Sequence, residues 1–250
     1  MIDGVVRYEI AGDLEELESI LKEFVRGRDT KDDPMITVDL RSRPDHYVTL
    51  SGPLGVGKST LLQVMAEQGW NVSKEPIAEN PYLDDVYANL TDFGFRMQAF
   101  YLGSRAKQHR LSSTIGGSLV QERSLEEDGE VFLPAYRDAG AYASSDYETL
   151  RTLYEALVST TPQPGLAVYL TAPFDMTLER IARRGREAEL ALDEKFARAV
   201  YERYEAWATN TETPVLRIDT TNLDLSTNAA DATEVLGRIA RALRTERVLT

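Results

Sequence analysis

One stretch limits the folds open to this chain more than any other. Tyr47-Val48-Thr49-Leu50-Ser51 reads as a short apolar strand. It runs into Gly52-Pro53-Leu54-Gly55-Val56-Gly57-Lys58-Ser59, a Gly-x-x-x-x-Gly-Lys-Ser spacing, and then into a helix with Leu61, Leu62 and Met65 on its apolar side. A glycine loop between a buried strand and a helix N-terminus turns several backbone N–H groups inward, where the helix dipole also favours negative charge. That is a holder for polyphosphate. Gly52, Gly55, Gly57, Lys58, Ser59 and Thr60 are the expected contact positions, with Lys58 as a point charge on the β and γ phosphates and the Ser59 hydroxyl as a ligand to a bridging Mg²⁺. The ligand this motif implies is ATP or GTP.

The rest of the chain supplies strands that end in charged residues. Trp70-Asn71-Val72-Ser73 is a short strand followed by Lys74-Glu75-Pro76, and the proline keeps Glu75 out of helical backbone. Gly117-Ser118-Leu119-Val120-Gln121 leads into Glu122-Arg123-Ser124. Ligands of open parallel sheets sit at the carboxyl ends of strands, so two acidic tips beside a phosphate loop outweigh either acid alone. Taken singly, Glu75 is more readily a solvated loop acid. A long helix is expected from Leu90 to Leu111, with Leu90, Phe93, Met97 and Phe100 as its core stripe. Gln98, Arg105 and His109 fall on another face, which is either wet or reads the edge of a heterocycle. Further strands are expected at Gly165–Leu170 and Pro214–Ile218. Between them, Arg180, Arg183, Arg184 and Arg186 form either a solvated basic helix end or a lid over phosphates.

Five apolar strands separated by helices predict an α/β, three-layer sandwich: a five-stranded parallel sheet with helices on both faces, of the P-loop nucleoside triphosphate hydrolase type. The expected division is an N-terminal extension over 1–46, carrying an amphipathic helix with Leu14, Leu17, Ile20, Leu21 and Phe24, and one domain over 47–250. A net charge of -13 argues against a sequence-independent grip on nucleic acid, which is built from clustered cations. With no cysteine there are no disulfides, thiolate metal sites or cysteine nucleophiles. No apolar run approaches a membrane span and no secretory signal is evident, so the expectation is a soluble, cytoplasmic protein.

The order of these pieces resembles the P-loop deoxyribonucleoside kinases, closest to bacterial deoxyadenosine and deoxyguanosine kinases. The likeness covers roughly Tyr47 to Asp224. It rests on the phosphate loop, Glu75-Pro76 with Asn80-Pro81-Tyr82-Leu83, Gln98 with Arg105 and His109, Glu122-Arg123-Ser124 with Asp128 and Phe132, and Arg184-Gly185-Arg186 with Glu189. The resemblance implies that Glu75 is the general base for the nucleoside 5′-hydroxyl and that Arg123 orients it. It implies that Glu122 joins Ser59 around Mg²⁺, and that Arg184 and Arg186 close over the phosphates of ATP. Tyr87 and Glu189 match the pair on the sugar 3′-hydroxyl. Gln98 matches the residue on the base edge, Arg105 and Asp128 a charged pair beside it, and Phe132 the ring that stacks on it. In this family the Arg105 and Asp128 pair goes with purines or deoxycytidine and argues against thymidine; among the former, the Glu75 to Leu83 stretch favours purines. One departure is Asn80, where several relatives place a tryptophan near the base.

The family likeness also implies a homodimer with the long helix from Leu90 at its interface. Three other readings stand beside it: a nucleoside monophosphate kinase, an NTP-dependent switch or binding module, and a catalytically silent subunit. Glu75, Tyr87 and Glu189 on the acceptor side suit hydroxyls better than a second phosphate, which weighs against the first.

Overall fold

The structure, a computed structural model, describes residues 46–185 and 193–246; the side chains of residues 84, 87, 88, 245 and 246 fall outside that set. The expected N-terminal extension and its amphipathic helix lie outside the described residues.

Five strands carry the fold: β1 (Tyr47–Ser51), β2 (Asn71–Ser73), β3 (Leu119–Glu122), β4 (Leu166–Thr171) and β5 (Val215–Asp219). They pair in parallel in the order β2-β3-β1-β4-β5, with Val48 opposite Val120 and Leu166, Val72 opposite Val120, and Leu170 opposite Ile218. β1 is buried along its whole length, as expected for a central parallel strand covered on both faces. The chain leaves β1 toward β2 and β3 on one side and returns to β4 and β5 on the other. The C-terminal end of β1 is therefore the switch point where a crevice opens.

Alternation along the strands assigns the two faces. Leu166, Val168 and Leu170 of β4 pack with Val48, Leu50, Leu61, Met65, Val235 and Ile239, joining the sheet to α1 (Lys58–Glu67) and to the closing helix Ala229–Glu246. The intervening Ala167 and Tyr169 pack with Val200, Tyr204 and Trp207 on the other face. This period of two is why both faces carry helices.

The remaining helices are α2 (Leu83–Ala88), α3 (Leu90–Ser112), α4 (Leu125–Glu127), α5 (Leu133–Asp138), α6 (Ser144–Val158), α7 (Phe174–Arg184), α8 (Glu194–Asn210) and the closing α9 (Ala229–Glu246). Between α4 and α5, residues Asp128–Phe132 form a π-helical turn. α3 differs from its sequence expectation. Its buried residues include Gly94, Met97, Gln98, Leu102, Arg105, Ala106 and His109, whereas Phe93 and Phe100 are only half-buried. The polar face is the inner one, because partners there satisfy its charges; the wet alternative for Gln98, Arg105 and His109 is excluded.

Candidate active site

The phosphate loop closes on itself around positive φ. Gly52 sits at φ 129° and Gly55 at 82°, and a Cβ at either would lie 2.3 Å from the Leu170 carbonyl oxygen or 2.5 Å from that of Thr177. Neither backbone oxygen can retreat, so glycine is required twice. Gly57 caps α1, with Ser59 and Thr60 in its first turn. Lys58 Nζ donates to the carbonyl oxygens of Gly52 (2.6 Å) and Pro53 (2.8 Å). Burial, reinforced by the Arg123 guanidinium, brings its pKa down to about 8. Ser59 Oγ donates to Glu122 Oε1 at 3.0 Å, placing a hydroxyl and a carboxylate side by side where the first turn of α1 meets the end of β3. These hard oxygens fit Mg²⁺, which takes few protein ligands and completes its shell with water and phosphate oxygens.

Across from the loop lies a buried ion network drawn from four separate elements. Glu75 Oε1 accepts from Arg123 Nη1 at 2.9 Å and from Arg105 Nη2 at 3.3 Å, and the Glu75 side chain is only 7% exposed. Arg105 Nε reaches Asp128 Oδ2 at 3.1 Å, while its Nη1 donates to the Glu122 carbonyl at 2.9 Å. Burial alone would raise the Glu75 pKa, but Arg123, Arg105 and Lys58 together hold it below the usual carboxylate value. Glu75 is thus an ionised carboxylate in electrostatic reach of the phosphate-loop lysine. Arg123 sits at φ 64° and lays its guanidinium 4.4 Å from the centre of the Phe132 ring. Its Nε is buried without a partner among the described residues.

Residues 48–244 match the family model described as deoxynucleoside kinase. The chain belongs to the deoxynucleoside kinase family. Among curated relatives, a deoxyadenosine/deoxycytidine kinase of Bacillus subtilis (strain 168) is 33% identical over 200 residues, covering 78% of this chain and 92% of that protein. A deoxyguanosine kinase of the same organism is 25% identical over 199 residues, covering 77% and 95%. Among solved structures, M. mycoides deoxyadenosine kinase with dCMP and a flexible dCDP bound superposes with a TM-score of 0.69 at 25% identity, covering 78% of this chain and 98% of that one. The protein is therefore a kinase on the P-loop fold, and family membership sets aside the switch module.

Within this deoxynucleoside kinase, the residues singled out from sequence are partly gathered. Glu75, Arg105, Arg123, Asp128 and Phe132 meet in the network above. The reading of Glu75 as a solvated loop acid is corrected, because two guanidiniums make its burial affordable. Gln98 is 2% exposed and hydrogen-bonds none of the described residues. Asn80 is buried as well; its Oδ1 accepts from the Tyr82 N–H at 3.0 Å, and its side chain lies beside the Tyr101 hydroxyl. Arg184 ends α7, exposed, beside the left-handed Gly185 at φ 68°. Arg186, Glu189 and the Tyr87 side chain lie outside the described residues. Arg180, grouped with the lid arginines by sequence, instead holds the loop after β5, donating to Thr220 Oγ1 (3.0 Å) and to the Thr220 carbonyl (2.8 Å).

Three features escaped the sequence reading. Glu127 is fully buried, its Oε1 accepting from Ser51 Oγ (2.7 Å) and the Ser124 N–H (2.8 Å), its Oε2 from Tyr204 Oη (2.8 Å). The Ser124-x-x-Glu127 capping box was its available signal. The π turn places Asp128 and Phe132 together, and Gly129 within it packs against Tyr154, where an added Cβ would fall 2.4 Å from the ring. His109 Nδ1 donates to the Pro162 carbonyl and Nε2 accepts the Leu125 N–H, both at 3.0 Å. Only the neutral tautomer makes both bonds, and burial lowers its pKa to about 4.

Proposed function

We propose that this deoxynucleoside kinase transfers the γ-phosphoryl group of ATP to the 5′-hydroxyl of a purine deoxyribonucleoside, in nucleotide salvage in the cytoplasm. The observation that carries this reading is the ionised Glu75 carboxylate, held by Arg123 and Arg105 on the acceptor side of the Lys58 loop. Phosphoryl transfer passes through a loose transition state, so positioning and charge stabilisation dominate. Glu75 accepts the hydroxyl proton as the new P–O bond forms, and it need not be a strong base for that. Arg123 holds the carboxylate and keeps one buried N–H without a partner for the incoming oxygen. Lys58 exchanges its two loop carbonyls for phosphate oxygens. Ser59 and Glu122 would hold Mg²⁺, which supplies neutralising charge to the β and γ phosphates.

Gln98 carries an uncommitted amide that offers donor and acceptor to a base edge, with Arg105 and Asp128 charged nearby and Phe132 to stack on the base. Tyr87 and Glu189 are assigned to the sugar 3′-hydroxyl, and Arg184 and Arg186 to the transferring phosphate, on the family pattern alone. Purine preference draws on the Glu75 to Leu83 stretch and on relatives named for deoxyadenosine or deoxyguanosine, which stand beside others named for deoxycytidine or thymidine. The homodimer implied by the family would use α3, whose Phe93 and Phe100 are half-buried; light scattering showing an active monomer would refute it. No described helix is long and apolar enough to cross a membrane.

The test is a panel of the four deoxynucleosides with ATP and Mg²⁺, read as monophosphate formed. Deoxyadenosine or deoxyguanosine is expected to react fastest. Thymidine or deoxycytidine in first place overturns the purine assignment, and no product with any of the four overturns the reading as a whole.

A further inference from the structure

A buried carboxylate that makes no salt bridge among the described residues requires an explanation. Glu127 has no exposure and takes three neutral donors from three parts of the chain. Ser51, at the end of β1, precedes Gly52, whose carbonyl accepts from Lys58. Ser124 follows Arg123, which stands in the left-handed region that a non-glycine residue enters at a cost of about 1 kcal/mol or more. Tyr204 belongs to α8 and meets the Phe132 ring edge-on at 6.0 Å.

A capping box alone needs only the Ser124 exchange, which is local in sequence. The Ser51 and Tyr204 bonds are long-range, and they use the capping oxygen again and the second oxygen as well. The turn that carries Arg123 is also pinned by the Arg123 N–H on the Leu50 carbonyl (3.0 Å), Gln121 Nε2 on the Arg123 carbonyl (2.8 Å), Arg105 Nη1 on the Glu122 carbonyl (2.9 Å) and the Leu125 N–H on His109 Nε2 (3.0 Å). These bonds tie the turn to β1, β3 and α3. Glu127 adds the tie to α8, through Tyr204, together with a side-chain bond to Ser51 at the root of the phosphate loop. Glu127 stands in the field of Lys58 and Arg123, and burial among neutral donors raises its carboxyl above the usual carboxylate range.

We propose that Glu127 is a positioning residue: it locks Arg123 to the base of the phosphate loop and ties both to α8, so that the arginine presents Glu75 at a fixed distance from the donor phosphates. This rests on the reading of Arg123 as the group that orients Glu75.

Wild type and Glu75→Gln are assayed first on the four deoxynucleosides; an inert wild type defeats the functional reading and leaves this one to be decided separately. Glu127→Gln keeps the shape and one acceptor oxygen. Its kcat should fall about tenfold or more, the scale of a lost bond to a charged group, with nucleoside KM within about threefold and an unchanged circular dichroism spectrum. In an Arg123→Ala background the same change should cost less than about twofold, because it acts through the arginine. Wild-type kcat in Glu127→Gln, or a cost carried undiminished into Arg123→Ala, overturns the proposal. The buried Arg123 Nε–H gives a readout without turnover. Its ¹⁵N cross-peak should move in Glu127→Gln, and an unmoved peak overturns the proposal even in a chain that phosphorylates nothing. Should Glu127→Gln fail to fold, Tyr204→Phe removes one bond only; a kcat lowered about threefold supports the lock, and an unchanged kcat with an unmoved peak overturns it.

Discussion

The phosphate loop and the acceptor network stand on either side of the β1 tip and are assembled by opposite means. The loop is one continuous run, Ser51 to Ser59, and its working groups are backbone N–H donors, one lysine and one exposed hydroxyl. The acceptor side takes Glu75 from the end of β2, Arg105 from the middle of α3, Arg123 from the end of β3 and Asp128 from the π turn, and buries all four. The first is preorganised by glycine backbone geometry, the second by mutual neutralisation of charges removed from water. Losing a loop group should therefore remove turnover and spare the fold, whereas losing a network group should cost both.

The largest effect expected is on the loop side. Lys58→Ala should lower kcat by about 10³-fold or more, since the charge meeting the transferring phosphate disappears, while Tm stays close to wild type. A Lys58→Ala protein that retains a tenth of its turnover would break the comparison at its strongest point. On the network side, Arg105→Leu leaves Glu75 and Asp128 buried with one partner fewer. That should destabilise the fold by about 3–5 kcal/mol, whereas Ser59→Ala, at an exposed position, should change stability by less than about 0.5 kcal/mol. Equal Tm losses in the two variants would contradict the division drawn here.

Acid sharpens the contrast further. His109 holds the Leu125 N–H, just beyond the Arg123 turn, and its folded pKa of about 4 lies below its ordinary 6.5. Between those values the unfolded chain binds the proton and the folded chain does not, so this stability is present above about pH 6.5 and is lost as pH falls through 4. The loss approaches about 3 kcal/mol. Denaturant titrations at pH 7, 5.5 and 4 should show it, and His109→Asn should flatten that part of the profile. A local effect completes the series: Gly129→Ala drives a methyl against the Tyr154 ring and should cost about 1–3 kcal/mol, with a raised nucleoside KM because Asp128 and Phe132 share that turn.

The difference between the two sides also explains what could be read from the chain. The phosphate loop, the five strands and their parallel arrangement were legible because glycine spacing and apolar runs are local signals. Helix α3 was misread for the converse reason. Its apolar residues Phe93 and Phe100 pointed to one face, but burial went to Gln98, Arg105 and His109, whose partners come from elsewhere in the chain. Taken alone, Glu75 read as a solvated acid and only its place at a strand tip beside the phosphate loop marked it otherwise; the two arginines that bury it come from distant elements. Ser51 and Tyr204 carry no local mark of their bonds to Glu127, and the π turn shows in sequence only as Gly129 between acidic residues. The division at residue 46 falls outside what the structure describes.

The account depends on the carboxylate of Glu75 meeting a nucleoside hydroxyl beside the phosphate loop, and Glu75→Gln addresses it directly. Calorimetry should give a deoxyadenosine dissociation constant within about fivefold of wild type, while single-turnover phosphorylation by ATP slows by about 10²-fold or more. Transfer at the wild-type rate in that variant would contradict the assignment of Glu75 as the base.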